Sequence, residues 1–119
     1  MGWKVPIAVA LAAGFAAGNA YAQGLNHFSG IAAYYDKGYK GRTASGQEYD
    51  PKQFTCAHRT LPFGTRVRVT DPKTHRSVEV IVNDRGPFSK GRVIDLSLAA
   101  ANALHMTGRG LIKVVVTIE

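Results

Sequence analysis

Two runs of alternating apolar residues, joined by a proline turn, limit what this chain can fold into more than any other feature. From Thr65 to Thr70, Val67 and Val69 alternate with Arg66, Arg68 and Thr70. The pattern returns as Val78-Glu79-Val80-Ile81-Val82. Period-two patterning in β-branched residues predicts strands with one face turned inward. Asp71-Pro72-Lys73-Thr74-His75-Arg76 lies between them, with Pro72 fixing φ, so the runs pair as a hairpin. Ser29–Asp36 reads as an earlier strand, followed by a loop to Tyr49 punctuated by Gly38, Gly41 and Gly46. Asp50 is placed to cap a turn or short helix opening at Pro51. Leu98, Ala101 and Leu104 share one side of a helix predicted over Ser97–His105, with Ser97 or Asp95 as its N-cap. Leu111–Ile118 forms a last strand with so little polar content that both its faces are expected to be buried. Short strands with one or two short helices point to a mainly β domain, a small closed or nearly closed barrel.

The first 22 residues stand apart. Lys4 precedes an apolar stretch, Val5 to Ala17, and Ala20-Tyr21-Ala22 has the small-x-small form of a cleavage site. The stretch is shorter than the roughly 20 residues a spanning helix needs, so a cleaved secretory signal is expected over 1–22. No cysteine lies near the cleavage site, so no lipid or membrane anchor is expected. Residues 23–119 remain, 119 − 22 = 97, which fits one domain. The formal charge of the chain is +7, and Lys4 is the one charged residue in the leader. A basic exported protein favours an acidic polymer or surface as its partner. Its cations (among them Lys37, Lys40, Arg42, Arg59, Arg76 and Arg109) are scattered and form no block, so a nucleic-acid partner is not expected.

Chemistry concentrates from Val78 to Ser97. Asn83-Asp84-Arg85-Gly86-Pro87-Phe88 breaks the strand pattern, and apolar sequence resumes at Val93-Ile94 before Asp95. Two carboxylates, Asp84 and Asp95, thus stand at the ends of one loop between buried elements, where functional groups gather. The single cysteine, Cys56, fits a buried thiol; a nucleophilic thiol is the rival reading because His58 is two residues away. The four histidines are far apart and show no ligand spacing, so no metal and no cofactor are expected.

Five segments carry a resemblance: Gly30-Ile31-Ala32-Ala33-Tyr34-Tyr35, Arg42-Thr43-Ala44-Ser45-Gly46, Ala57-His58-Arg59-Thr60-Leu61-Pro62-Phe63-Gly64, Val82-Asn83-Asp84-Arg85-Gly86-Pro87-Phe88 and Arg92-Val93-Ile94-Asp95-Leu96-Ser97. In this order and spacing the chain resembles the rare lipoprotein A family. The resemblance implies a six-stranded double-psi β-barrel related to expansins. It also implies a lytic transglycosylase that cuts peptidoglycan between N-acetylmuramic acid and N-acetylglucosamine, leaving 1,6-anhydro ends. A monomer working on glycan strands in the periplasm or cell envelope is the matching expectation.

Glycosidic cleavage passes through an oxocarbenium-like transition state, and the leaving oxygen must be protonated. When the sugar's own 6-hydroxyl attacks, one carboxyl group serves first as acid and then as base. The resemblance assigns that role to Asp84, with His58 also tied to activity and Asp95 in the polysaccharide groove. The plainer reading of Asp84 is a turn acceptor or a partner of Arg85, and that of Asp95 a helix cap. Gln47, Glu48, Asp50, Arg85, Asp95 and Tyr35 are the expected substrate-binding residues. Tyr34, Tyr35 and Phe88 offer flat faces to sugar rings, although aromatics in so small a barrel also serve as core. The family pattern has glutamate where this chain has Gln47, with Glu48 one place later. An amide binds sugar but cannot shuttle a proton, which keeps a non-catalytic, expansin-like glycan-binding module as the alternative.

Overall fold

The computed structural model describes residues 26–119; the expected leader lies outside them. Six strands form a closed barrel: β1 (His27–Tyr34), β2 (Thr55–Ala57), β3 (Arg66–Thr70), β4 (Ser77–Asp84), β5 (Arg92–Leu96) and β6 (Ile112–Ile118). Around the barrel they run β1-β5-β2-β4-β3-β6. The pairs β1–β5 and β2–β4 are parallel, while β3–β4 is the expected antiparallel hairpin, with Val67 opposite Val80 and Val69 opposite Val78. The mainly β, six-stranded expectation holds. Among the described residues there is one helix, α1 (Leu98–Ala103), capped by Ser97, whose side chain accepts from the Ala100 N–H. Asp95 is not the cap; it lies inside β5. Asp50 closes a turn instead of opening a second helix, its Oδ1 accepting from the Lys52 N–H at 2.9 Å.

The barrel is filled by branched side chains on the inward, alternate positions of its strands. Val67, Val69, Val80, Val82, Val114 and Val116 are fully buried, as are Ile94 and Leu96 of β5. Leu104 and Met106, just past α1, join the same core. Each such side chain is worth about 1.5–3 kcal/mol on leaving water. The last strand departs from expectation: Ile112, Val114 and Val116 are buried but Lys113 between them is exposed. In a closed barrel one face of every strand looks outward, so even an apolar strand alternates.

Each parallel pair contains one extra residue. Between β2 and β4, Cys56 stands opposite Val82 but Ala57 opposite Asp84, so Asn83 is bulged out. Between β1 and β5, Ile31 faces Arg92 but Ala32 faces Ile94, so Val93 is the extra residue. Val93 is accommodated by Gly30: a Cβ there would lie 2.4 Å from a Val93 methyl. The connection after α1 is tied to the β3–β4 turn by Arg109, which pairs with Asp71 at 2.6 Å, Asp71 being only 1% exposed.

Candidate functional site

The bulge at Asn83 decides where Asp84 points. Val78, Val80 and Val82 face the core, and strict alternation would send residue 84 the same way. One inserted residue reverses the phase, as bulges do. Asp84 therefore shares a row with Ala57, and Ala57 in turn faces Asp95 on β5. The flanking Ile94 and Leu96 are both inward, so Asp95 is on the outer face too. With Ala57 between them, the two aspartate backbones are two strand spacings apart, about 10 Å.

Asn83 also binds the loop above this row. Its carbonyl accepts from the Ser45 N–H at 3.2 Å, and its side-chain amide donates to Gln47 Oε1 at 3.2 Å. The loop is closed by the Thr43 N–H donating to the Gln47 carbonyl at 2.7 Å. Its Ala44 N–H reaches Asp84 Oδ1 at 2.7 Å, and the Arg85 N–H reaches the same oxygen at 2.9 Å. The Tyr35 hydroxyl donates to Oδ2. An ionised carboxylate has about four acceptor positions; three are taken, and the remaining one is on Oδ2.

Tyr35 is held by two other rings, stacked on Tyr49 at 4.4 Å and tilted against Tyr39 at 5.2 Å. Burial, then the hydrogen bond to Asp84 and the charges of Asp84 and Asp95, push its phenol well above the ordinary tyrosine value. It stays protonated throughout the physiological range. A hydroxyl both donates and accepts, so Tyr35 can remain on Oδ2 whether Asp84 is charged or neutral.

The other expected residues divide. Gln47, Glu48 and Asp50 border one cleft of about 250 Å³ with Gln53, Thr55, Ile81 and Asn83. The oxygen of the Gln47 amide is occupied by Asn83 and by Ser45 Oγ at 3.3 Å. Glu48 also borders a second cleft, formed by Lys37, Tyr39, Lys40, Tyr49 and Pro51. Asp95 pairs with Arg92 at 2.7 Å. Arg85 does not pair with the Asp84 carboxylate. Its guanidinium donates to the carbonyls of His58 and Leu61, at 3.1 and 2.8 Å, and lies 4.1 Å from the centre of the Phe63 ring.

His58, which the resemblance ties to activity, turns its ring nitrogen to its own loop. Its Nδ1 accepts the N–H groups of Thr60 and Leu61, both at 3.1 Å, and its ring packs against Phe28. Its link to Asp84 is through the backbone, the His58 N–H donating to the Asp84 carbonyl at 3.1 Å. Burial and the nearby Arg59 and Arg85 charges lower its pKa. The neutral ring with its proton on Nε2 is what two donors to Nδ1 require. Cys56 faces the core, and burial, with Asp95 adding to it, pushes its thiol up to about 12. A thiol in that state is inert, which removes the nucleophile reading. Among the described residues, no group of His, Cys, Asp or Glu is placed to hold a metal, and no helix is long and apolar enough to cross a membrane.

Sequence reasoning missed Asn83 and Ala44, the residues that aim and hold Asp84. Asn83 left no signal: a polar residue suits the outward place that the alternation gives position 83, and the extra residue shows only against β2. The Ala44 contact is made by backbone, which leaves no mark in residue type.

Comparison with known proteins bears on this geometry. The family described as lytic transglycolase matches residues 27–116. The endolytic peptidoglycan transglycosylase RlpA of Pasteurella multocida is 52% identical over 83 residues, which cover 69% of this chain and 28% of that protein. The chain spans 24–28% of the length of such curated relatives. Among solved structures, a Streptomyces papain inhibitor aligns with a TM-score of 0.63 at 27% identity, covering 77% of this chain and 93% of that one. The expansin of Clavibacter michiganensis, solved as a point mutant in complex with cellohexaose, aligns with a TM-score of 0.62 at 23% identity, covering 78% and 50%. That match speaks to the barrel alone. On its sequence match and its closed six-stranded barrel, the chain belongs to the lytic transglycolase family, the rare lipoprotein A-like double-psi β-barrels.

Proposed function

We propose that this protein cuts the glycan strands of peptidoglycan as an endolytic lytic transglycosylase, with Asp84 as its acid and base. The observation that carries the reading is the outward-turned Asp84 carboxyl, with Oδ1 fixed by two backbone amides and Oδ2, among the described residues, shared only with a hydroxyl. Protonated Asp84 gives its proton to the glycosidic oxygen, and the N-acetylglucosamine side leaves as an alcohol. The carboxylate then takes the proton of the muramic 6-hydroxyl as O6 bonds to C1, closing the 1,6-anhydro ring. The proton returns to Asp84, so no water and no second catalytic carboxylate are consumed. Gln47, Glu48, Asp50 and Asp95 line the approaches to this group. His58 and Arg85 shape the loop beside it from Nδ1 and from the guanidinium. The named activity of the Pasteurella relative supports the assignment. We further propose that residues 1–22 direct export and are removed, and that the domain works as a monomer in the periplasm or cell envelope.

Incubating purified glycan strands with the protein and searching for 1,6-anhydro ends by mass spectrometry tests this. Products that vanish with Asp84→Asn support it, and undiminished cleavage by that variant overturns it. Gln47 favours a second reading, an expansin-like module that holds glycan without cutting. Binding without products at every protein concentration would select that one.

A further inference from the structure

Of the three aromatics with faces suited to sugar, the structure spends two. Tyr34 packs on the core and donates its hydroxyl to the Thr107 carbonyl, and Tyr35 is engaged with Asp84 and Tyr49. Phe88 is different. It is 78% exposed, more than any other large hydrophobic side chain among the described residues. A Cβ built on Gly86 would touch its ring at 3.5 and 3.7 Å, which places the ring against the backbone two residues from Asp84.

An exposed phenylalanine on a loose loop would carry little meaning, since single exposed apolar residues are common. This loop is fastened. Arg59 sends its Nε to the Pro87 carbonyl at 2.7 Å and one terminal nitrogen to the carbonyls of Ser89 and Arg92, at 3.4 and 2.6 Å. Three carbonyls on both sides of Phe88 are thus gathered by one guanidinium that itself comes from β2's exit. The ring is held out in water by a rigid support, which lowers the ordering cost of a ligand that stacks on it. Phe63, also exposed near this site, already has the Arg85 guanidinium over its ring.

We propose that Phe88 is a stacking platform for a pyranose of the glycan strand, in the subsite beside Asp84. The negative face of the ring attracts the weakly positive axial C–H groups of a sugar, and the contact buries apolar surface on both partners. This proposal rests on the glycan reading of the site but not on its catalytic power.

The test measures binding of purified glycan strands in the Asp84→Asn background, where cleavage does not consume the ligand. Phe88→Ala there weakens binding about three- to tenfold, the range of an aromatic contact. Phe88→Trp retains or strengthens it. Leu111→Ala, an exposed apolar residue bordering the Asp71–Arg109 pair at the other end of β4, leaves it unchanged. Circular dichroism of Phe88→Ala keeps the parent melting transition, because the removed ring is in solvent. Unchanged affinity in Phe88→Ala overturns the platform. If Phe88→Ala weakens binding while the unmutated protein makes no 1,6-anhydro ends, the enzyme reading fails and the platform stands. If products form and Phe88→Ala changes neither affinity nor KM, the platform fails and the enzyme stands.

Discussion

Among the described residues Oδ2 of Asp84 has a single partner, and that makes Tyr35 the residue whose loss is most informative. Tyr35→Phe keeps the ring stacked on Tyr49 and removes one charge-assisted hydrogen bond. Such a bond is worth about 1.5–3 kcal/mol, so cleavage is expected to slow about 10- to 100-fold while the fold persists. The rate of 1,6-anhydro product formation, alongside a thermal melt, checks both halves. Gln47→Glu tests the one departure from the family pattern. The new carboxylate can still accept from Asn83 and Ser45 where the amide oxygen does now, and it adds a titratable oxygen at the cleft. Its cleavage rate should exceed that of the unmutated protein; an equal rate would show that this position only supports the loop. His58 makes a pH prediction. Its folded pKa lies below the unfolded value near 6.5, so the unfolded chain binds the proton more readily. The stability it contributes is whole above that value and declines as pH falls beneath it. Melting temperatures followed from pH 7.5 to 5 should show this fall, and His58→Gln should flatten it.

At the level of elements, four strands were legible, the short β2 and β5 were not, and neither were the phase changes between strands. Val67, Val69, Val78, Val80 and Val82 announce the hairpin because alternation is a local property, written residue by residue. Nothing local says that Asn83 and Val93 are each one residue too many for a parallel neighbour lying far away in sequence. The resemblance named Asp84, but its orientation depends on that count. The same reasoning explains why Leu111–Ile118 misled: its composition suggested burial on both faces, and only closure of the barrel exposes Lys113. Gly30 marks the second bulge and gives a sharp test. Gly30→Ala forces a methyl into Val93 and should cost about 1–3 kcal/mol, read as a lower urea midpoint with no change in the slope of the transition.

Across the whole molecule, charge and one ion pair set the response to solution conditions. Without Lys4 of the leader the formal charge is 7 − 1 = +6, and this positive balance predicts that retention on isolated cell wall falls as salt rises and the screening length shrinks. Co-sedimentation with walls from low to high ionic strength measures this, and salt-independent retention would remove electrostatics from the account. The Asp71–Arg109 pair joins the hairpin turn to the approach of the last strand. Burial opposes the charge on Asp71, but the hydrogen bonds from Arg109 and the Lys73 N–H outweigh it and hold its carboxyl below the usual range. The stability so gained is present above about pH 4 and is lost as pH falls through the folded value. Arg109→Ala should remove about 1–3 kcal/mol at neutral pH, the Arg109 end of the pair being still wetted, and should blunt the acid sensitivity of the melt.

The contacts on Asp84 also carry a consequence in time. Its carboxylate is gripped by Tyr35, 49 positions earlier in the chain, and by Ala44, 40 positions earlier, across a strand order in which neighbours in sequence are seldom neighbours in space. Long-range pairings of this kind form late, after much of the chain has been gathered. A nascent or half-assembled copy therefore has the aspartate without the contacts that fix its carboxylate, and under the proposed function cleavage is expected to appear only as folding finishes.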